Sequence, residues 1–183
     1  STGQLARALL QLQPDAVFLD REALDLAKPE TVSGVLERYA PSAVINAAAY
    51  TQVDNAEKEE TLATTINAET PAVMAAWCAA KNIPFVAFST DYVFDGSGNN
   101  AWREEDAVHP LSAYGRSKAE MEKRIVQAGG KYLLFRTSWV YDATGKNFPN
   151  TILRLAGERE ELRVIDDQFG APTFAPHLAK AVL

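Results

Sequence analysis

The sequence predicts an α/β protein: a doubly wound parallel sheet with helices on both faces. Two observations carry that expectation. Short β-rich runs alternate with helical segments along the chain. The runs are almost continuously apolar, as strands covered on both faces must be. Taken in order, Ser1-Thr2-Gly3-Gln4 leads directly into the apolar-periodic stretch Leu5, Leu9, Leu10, Leu12, a helix with no strand ahead of it. The first strand of such a sheet is therefore expected to be missing, and the chain to be cut at its start. Ala16-Val17-Phe18-Leu19 reads as a strand, and residues 29–40 as a helix whose Pro29 suits a first turn. Ala43-Val44-Ile45-Asn46 reads as the next strand. A long helical stretch runs from Lys58 to Lys81, with Thr70-Pro71 as a kink or restart. Phe85-Val86-Ala87-Phe88-Ser89 reads as a buried strand. The helix carrying Tyr114 runs to Gln127 and ends at Gly129-Gly130, and Tyr132 to Thr137 forms another strand. Internal repeats, low-complexity segments and linkers are absent from this reading.

Composition sets the outer bounds. With 183 residues, 47% of them hydrophobic, the chain can bury one sizeable core and reads as one domain or most of one. Its apolar runs fall short of the roughly 20 residues that span a bilayer. A net charge of −6 without a basic stripe argues against a nucleic-acid partner, while a small anionic ligand needs only a few amides and cations. Cys78, the single cysteine, sits in an apolar helical stretch and reads as a packed residue, which fits a reducing cytoplasm. His109 and His177 form no Cys/His cluster, so no metal site is expected from them.

In a sheet of this kind, ligands bind beyond the carboxyl ends of the strands. Asn46-Ala47-Ala48-Ala49-Tyr50 follows one strand, and its small residues let a flat or extended ligand approach the backbone. Ser89-Thr90-Asp91-Tyr92-Val93-Phe94 follows the next, with hydroxyls that reach a carbonyl; Ser138-Trp139-Val140-Tyr141 follows the last. Tyr114 and Lys118 stand four apart, one turn from each other on one helical face. A cation beside a phenol favours the phenolate and brings its proton exchange toward neutrality, so Tyr114 is a candidate general acid or base. Gly3 at a helix start reads as the remnant of a glycine-rich phosphate loop of Rossmann type. Asp20 lies about seventeen residues further on, where an acid meets the ribose of NAD, and Arg21 beside it suits the 2′-phosphate of NADP. The pair leaves the choice of cofactor open.

The runs Thr2-Gly3-Gln4-Leu5, Asn46-Ala47-Ala48-Ala49, Ser89-Thr90-Asp91-Tyr92-Val93-Phe94-Asp95-Gly96, Pro110 to Lys118, Arg136-Thr137-Ser138-Trp139-Val140-Tyr141 and Asp167-Gln168-Phe169-Gly170-Ala171-Pro172-Thr173 occur in that order over the whole chain. Together they resemble the dTDP-4-dehydrorhamnose reductase family, within the extended short-chain dehydrogenases. The Thr-Asp-Tyr-Val-Phe and Asp-Gln-Phe-Gly-Ala-Pro-Thr runs are far more specific than the Tyr and Lys, which sugar-nucleotide epimerases and dehydratases share.

The resemblance implies reduction of the 4-keto group of dTDP-4-dehydro-β-L-rhamnose by NADH or NADPH, giving dTDP-L-rhamnose for surface polysaccharide. By the same resemblance Tyr114 would donate the proton, Thr90 would hydrogen-bond the developing alkoxide, and Lys118 would lower the Tyr114 pKa and hold the nicotinamide ribose. Gly3, Gln4 and Leu5 would lie by the pyrophosphate. Asp20, Asp25 and Leu26 would surround the adenosine half, and Ala48, Ala49 and Tyr50 would line the cofactor groove. Asp91 and Trp139 would face the sugar, and Gln168 to Thr173 the nucleotide. Residues 1–145 would form the dinucleotide-binding domain and 146–183 the start of a smaller substrate-binding region. This fragment would bind nucleotide poorly until its missing ends are restored.

Each of these residues also has a plainer reading. Thr90 and Asp91 suit helix or turn caps, Trp139 a packing aromatic, and Gly170-Ala171-Pro172 a turn. Glu158-Arg159-Glu160-Glu161 is most simply a solvated helix face, although Mg2+ accompanies some family members. Two other functional classes stay open. One is a non-catalytic dinucleotide-binding module resembling the regulatory subunit of methionine adenosyltransferase. The other is a different sugar-nucleotide reductase, epimerase or dehydratase. Oligomeric state also stays open, with a homodimer among the options.

Overall fold

In chain order the elements are α1 (Gln4–Leu12), α2 (Val32–Tyr39), β1 (Val44–Asn46), α3 (Val53–Ala56), α4 (Glu60–Thr64), α5 (Thr70–Lys81), β2 (Phe85–Thr90), α6 (Ala113–Ala128), β3 (Tyr132–Tyr141), α7 (Phe148–Glu158), β4 (Pro172–Phe174) and α8 (Ala175–Val182). Short 3-10 turns lie at Pro29–Thr31 and Asp91–Val93, and a π-helical turn at Thr65–Glu69. The computed structural model describes residues 3–183. Thr2, the first residue of the Thr-Gly-Gln-Leu run, lies outside the described residues with Ser1. The chain divides into two compact units, Leu19–Arg136 and Ser1–Phe18 with Thr137–Leu183, and β3 passes from one into the other.

In the unit Leu19–Arg136 the strand order is β1-β2-β3. β1 and β2 pair in parallel, Val44 opposite Phe85 and Asn46 opposite Ala87. All of β2 except Phe88 is buried, which explains its unbroken apolar run. Val32 and Leu36 of α2, Met74 of α5, Phe85 of β2, and Met121 and Ile125 of α6 close over one another as the core. Cys78 belongs to the same cluster, and burial pushes its thiol up to about 11, as suits a packed residue. The helix from Glu60 to Lys81 is continuous but widens into the π turn just before Pro71, which removes the clash that a proline ring makes in an ordinary helix. α6 begins with the Ser112 side chain accepting from the Gly115 N–H at 3.0 Å, and ends at Gly129 and Gly130, both at positive φ.

In the other unit, α1 packs on α8 through the buried Leu5, Ala8 and Leu9 on one side and Ala175, Leu178 and Ala179 on the other. The end of β3 pairs in parallel with β4, Ser138 opposite Pro172 and Tyr141 opposite Phe174, with a bulge at Trp139.

Three sequence expectations change. Ala16–Leu19 forms no strand: residues 16–19 join no ladder, and Val17 stays 65% exposed. A strand needs a partner to satisfy its backbone groups, and apolar residues alone do not supply one. Ser138 to Tyr141, read as the loop after a strand, are strand themselves, because β4 gives their backbone a partner. The acidic stretch is exposed, but only Glu158 is helical, paired with Arg154 at 2.7 Å. Among the described residues, no group of three or more His, Cys, Asp or Glu is placed to hold a metal ion. No helix of the described residues is long and apolar enough to cross a membrane.

Candidate active site

β2 and α6 bring Thr90, Tyr114 and Lys118 together inside the unit Leu19–Arg136. Thr90 is the last residue of β2 and caps the 3-10 turn that follows, its Oγ1 accepting from the Tyr92 N–H at 3.2 Å. The same hydroxyl donates to Asp91 Oδ1 at 3.1 Å and lies close enough to the Tyr114 phenol to favour its ionised form. Thr90 thus acts as a cap and as the neighbour of Tyr114 at once. Its one proton goes to Asp91.

Tyr114 sits in the first turn of α6, against Ala56, Ala63 and Ala113, with the Tyr92 ring edge-on at 5.8 Å. Its pKa is raised, first by burial; the Thr90 hydroxyl works against that, and the nearby Asp91 and Tyr92 add to it. The expected lowering by Lys118 does not occur in this structure. Lys118 Nζ instead donates to the Phe88 carbonyl at 2.6 Å, with Met121 Sδ at 3.9 Å. Spacing along a helix places two side chains on one face but does not decide where a long side chain ends. Burial also lowers Lys118 itself from an ordinary 10.5 to about 8, with Glu122 opposing the shift.

That depression has a sign. Below about pH 8 both folded and unfolded chains carry the Lys118 proton, and the folded state bears the full penalty of a buried ammonium. Between about 8 and 10.5 the unfolded chain holds the proton more tightly, so the penalty fades as pH rises. Lys118→Met is expected to raise the thermal midpoint at neutral pH, by a margin that shrinks through that window. A margin that stays flat from neutral pH into the window would contradict a buried, depressed Lys118.

The loop after β1 is fixed from beneath by Asn67, a residue the sequence analysis missed. Asn67 is 1% exposed and lies in the π turn. Its Oδ1 accepts from the Tyr50 N–H at 2.8 Å, and its Nδ2 donates to the Tyr50 carbonyl at 3.0 Å and to Ser117 Oγ at 2.9 Å. Ser117 Oγ donates in turn to the Tyr114 carbonyl at 2.7 Å. One amide therefore ties the Ala47–Tyr50 loop to the helix of Tyr114 and Lys118. The signal available was a polar residue among the apolar residues of a helix, just ahead of a proline.

Ala47 and Ala48 are exposed, Ala49 and Tyr50 half-buried. The Ala48 N–H is held by Asn46 Oδ1 at 3.2 Å, and the Tyr50 hydroxyl donates to Glu59, which holds the phenol protonated. Glu57 Oε1 accepts from the Ala113 N–H at 2.7 Å, and Arg116 reaches Glu60 at 2.8 Å, so the acid just after α3 and the first residue of α4 pin the start of α6. Asp20 Oδ1 closes a turn on the N–H groups of Glu22 and Ala23, and Asp25 Oδ1 on that of Ala27. Leu26 packs on the core, and its carbonyl accepts from Thr70 Oγ1 at 2.6 Å.

In the other unit, Gly3 caps α1, and the first intrahelical bond runs from Arg7 N–H to the Gly3 carbonyl at 3.0 Å. The amides of the first turn precede that bond, and a Cβ at Gly3 would meet only Ala6 Cβ at 4.0 Å. Open space beside first-turn amides suits a pyrophosphate. The Gln4 side chain is committed elsewhere: it donates to the Val140 carbonyl at 3.0 Å and accepts from Asn147 Nδ2 at 2.9 Å. Leu5 faces α8 and is buried.

Trp139 is not core. It is 48% exposed and holds φ at 45°, a left-handed conformation that a large side chain adopts only under constraint. Its ring lies so close to Gly170 that a Cβ there would come within 2.7 Å of it. Gln168 is exposed and Thr173 half-buried, with Thr173 Oγ1 donating to the Ala171 carbonyl at 3.3 Å.

A family model described as the RmlD substrate binding domain matches residues 1–183. The chain is similar to dTDP-4-dehydrorhamnose reductase of Burkholderia thailandensis, 47% identical over 96% of this chain and 59% of that protein. It is similar to the enzyme of that name from Shigella flexneri, 46% identical over 96% of this chain and 60% of that one. A crystal structure of dTDP-4-dehydrorhamnose reductase from Bacillus anthracis in complex with NADP superposes with a TM-score of 0.93 at 37% identity, over 99% of this chain and 66% of that one. The chain thus spans about three-fifths of the length of the curated relatives it matches. On the match over its whole length, the chain belongs to the RmlD substrate binding domain family.

Proposed function

We propose that the protein of which this chain forms part reduces the 4-keto group of dTDP-4-dehydro-β-L-rhamnose to dTDP-L-rhamnose at the expense of NADH or NADPH. The observation that carries the reading is the junction of β2 and α6, which brings Thr90 beside Tyr114, one helical turn from the buried Lys118. The names and the bound NADP of the relatives support it.

The reduced nicotinamide supplies the hydride that reaches C4. Tyr114 gives its phenolic proton to the oxygen that gains charge, so the C=O becomes CH–OH, and the phenolate recovers a proton from water. A raised pKa suits this role, because the proton stays on Tyr114 until an alkoxide, a far stronger base, is formed. Thr90 lends a hydrogen bond to the same oxygen, a contact worth most when the charge is greatest. Asp91 and Trp139 orient the sugar, Trp139 offering a flat apolar face, and Gln168 and Thr173 face the nucleotide.

Gly3 and the first-turn amides of Gln4 and Leu5 hold the pyrophosphate. Asp20, Asp25 and Leu26 flank the adenosine half, Ala48, Ala49 and Tyr50 line the groove, and Lys118 holds the nicotinamide ribose. Residues 1–145 are the dinucleotide-binding part and 146–183 the start of the substrate-binding part. The test is loss of the reduced-nicotinamide absorbance when the full-length protein meets dTDP-4-dehydrorhamnose. Loss in step with the appearance of dTDP-L-rhamnose is expected. Tight cofactor binding without such loss would overturn the reading in favour of a non-catalytic dinucleotide binder.

A further inference from the structure

The Asn67 amide gives both its protons away from its own helix, to the Tyr50 carbonyl at 3.0 Å and to Ser117 Oγ at 2.9 Å. Its Oδ1 accepts from the Tyr50 N–H at 2.8 Å, so Tyr50 receives from one side chain both bonds that a neighbouring strand would supply. A position that serves packing alone takes an apolar residue, because a buried amide is costly unless its protons find partners. Nor does the loop depend on Asn67 to satisfy its backbone. Tyr50 is half-buried and Ala47 and Ala48 are exposed, so water can reach this stretch. A bare structural role accounts poorly for this amide.

What Asn67 connects supplies another role. Ser117 Oγ accepts from Asn67 and donates to the Tyr114 carbonyl at 2.7 Å, so the clamp on Tyr50 continues into the first turns of α6. Tyr50 and Tyr114 also pack on one floor, the fully buried Ala56, Ala63 and Ala113. The Tyr50 hydroxyl is fixed in addition by Glu59. Asn67 itself is delivered by the π turn Thr65–Glu69, a rare local geometry that recurs at functional sites.

Resting on the reductase reading and its placing of Ala48, Ala49 and Tyr50 along the cofactor groove, we propose that Asn67 and Ser117 are positioning residues. Their hydrogen bond locks the cofactor loop to the turn of α6 that carries Tyr114, so hydride donor and proton donor meet the substrate carbonyl in one register. Reduction needs both donors at the same C=O, and a misplacement of about 1 Å can cost on the order of 100-fold in rate. Asn67 and Ser117 act through Tyr50 and Tyr114, without a part in the proton transfer itself.

The test uses the full-length protein with NADPH and dTDP-4-dehydrorhamnose. Ser117→Thr and Ser117→Val share one outline and differ in the hydroxyl, so any strain from the added methyl group is common to both. The valine variant is expected to show kcat about tenfold below the threonine variant. Their affinities for NADPH should be closely similar, because Asn67 still holds Tyr50. Asn67→Leu keeps the approximate shape but frees Tyr50 itself, and is expected to weaken NADPH binding about tenfold as well as to lower kcat. Thermal midpoints measured alongside give the folded fraction. A merely structural pair predicts lower midpoints with kcat unchanged per folded enzyme. Equal kcat in the threonine and valine variants, or native NADPH affinity in folded Asn67→Leu, would overturn the proposal. If the native protein binds NADPH but reduces nothing, the reductase reading fails instead, and the NADPH affinity of Asn67→Leu alone decides whether Asn67 sets the loop.

Discussion

Tyr114→Phe in the full-length protein is expected to lower kcat for reduction by about 10²- to 10⁴-fold, the range that a positioned proton donor contributes. The ring itself is retained, and with it the packing on Ala56, Ala63 and Ala113 and the edge-on contact with Tyr92. Thermal stability should therefore change little, and NADPH affinity should hold within a few fold. What disappears is the one proton placed beside Thr90. Because burial keeps that proton on Tyr114 at neutral pH, the native rate should be flat there and fall only in the alkaline range, whereas the residual rate of the variant should lack that limb. A Tyr114→Phe enzyme within threefold of native kcat would mean that the proton comes from elsewhere, by way of water or Thr90.

Gly115→Ala should produce the largest structural effect of any single methyl group near the site. A Cβ at Gly115 would sit 2.3 Å from the Tyr92 carbonyl oxygen and 3.1 Å from Pro110 Cβ. The first obstacle is backbone, which cannot swing aside as a side chain would. Relief requires the start of α6 to part from the Asp91–Val93 turn, at a cost of about 1–3 kcal/mol. That movement carries Tyr114 away from Thr90, so activity should fall further than the loss of stability alone explains. Gly34→Ala is the matched control. Gly34 is also helical, but a Cβ there meets nothing within 4 Å, so its thermal midpoint should hold or rise slightly. Equal midpoints for the two variants would show that α6 and the turn are not in close contact.

Much of the fold and part of the site are legible in the sequence, for identifiable reasons. β2 and α6 are read correctly because their signals are local: an unbroken apolar run for the strand, and a pair of glycines that ends the helix. What escapes is whatever depends on a partner remote in sequence. Ala16–Leu19 has the residues of a strand but no ladder. Ser138 to Tyr141 has the look of a loop but finds β4, and Trp139 is forced into a left-handed turn by the resulting bulge. Asn67 clamps Tyr50 from 17 positions away and Ser117 from 50, distances at which no pattern signals the contact. Gln4, read as a neighbour of pyrophosphate, spends its side chain on Val140 and Asn147, which leaves its backbone amide for that role. The direction of Lys118 is illegible for a related reason. Four methylenes let the ammonium choose among acceptors, and the Phe88 carbonyl, two residues before Thr90, is the one it meets.

Net hydride transfer to a sugar carbonyl is the activity proposed for the junction of β2 and α6. Its most direct test is a single incubation of the full-length protein with dTDP-4-dehydrorhamnose and NADPH deuterated on the transferred position of the nicotinamide. One deuterium at C4 of dTDP-L-rhamnose is expected for each NADPH oxidised, with the transfer slowed about 10²- to 10⁴-fold in Tyr114→Phe. Deuterium that stays on the cofactor, or a sugar converted with no net consumption of NADPH, would contradict it.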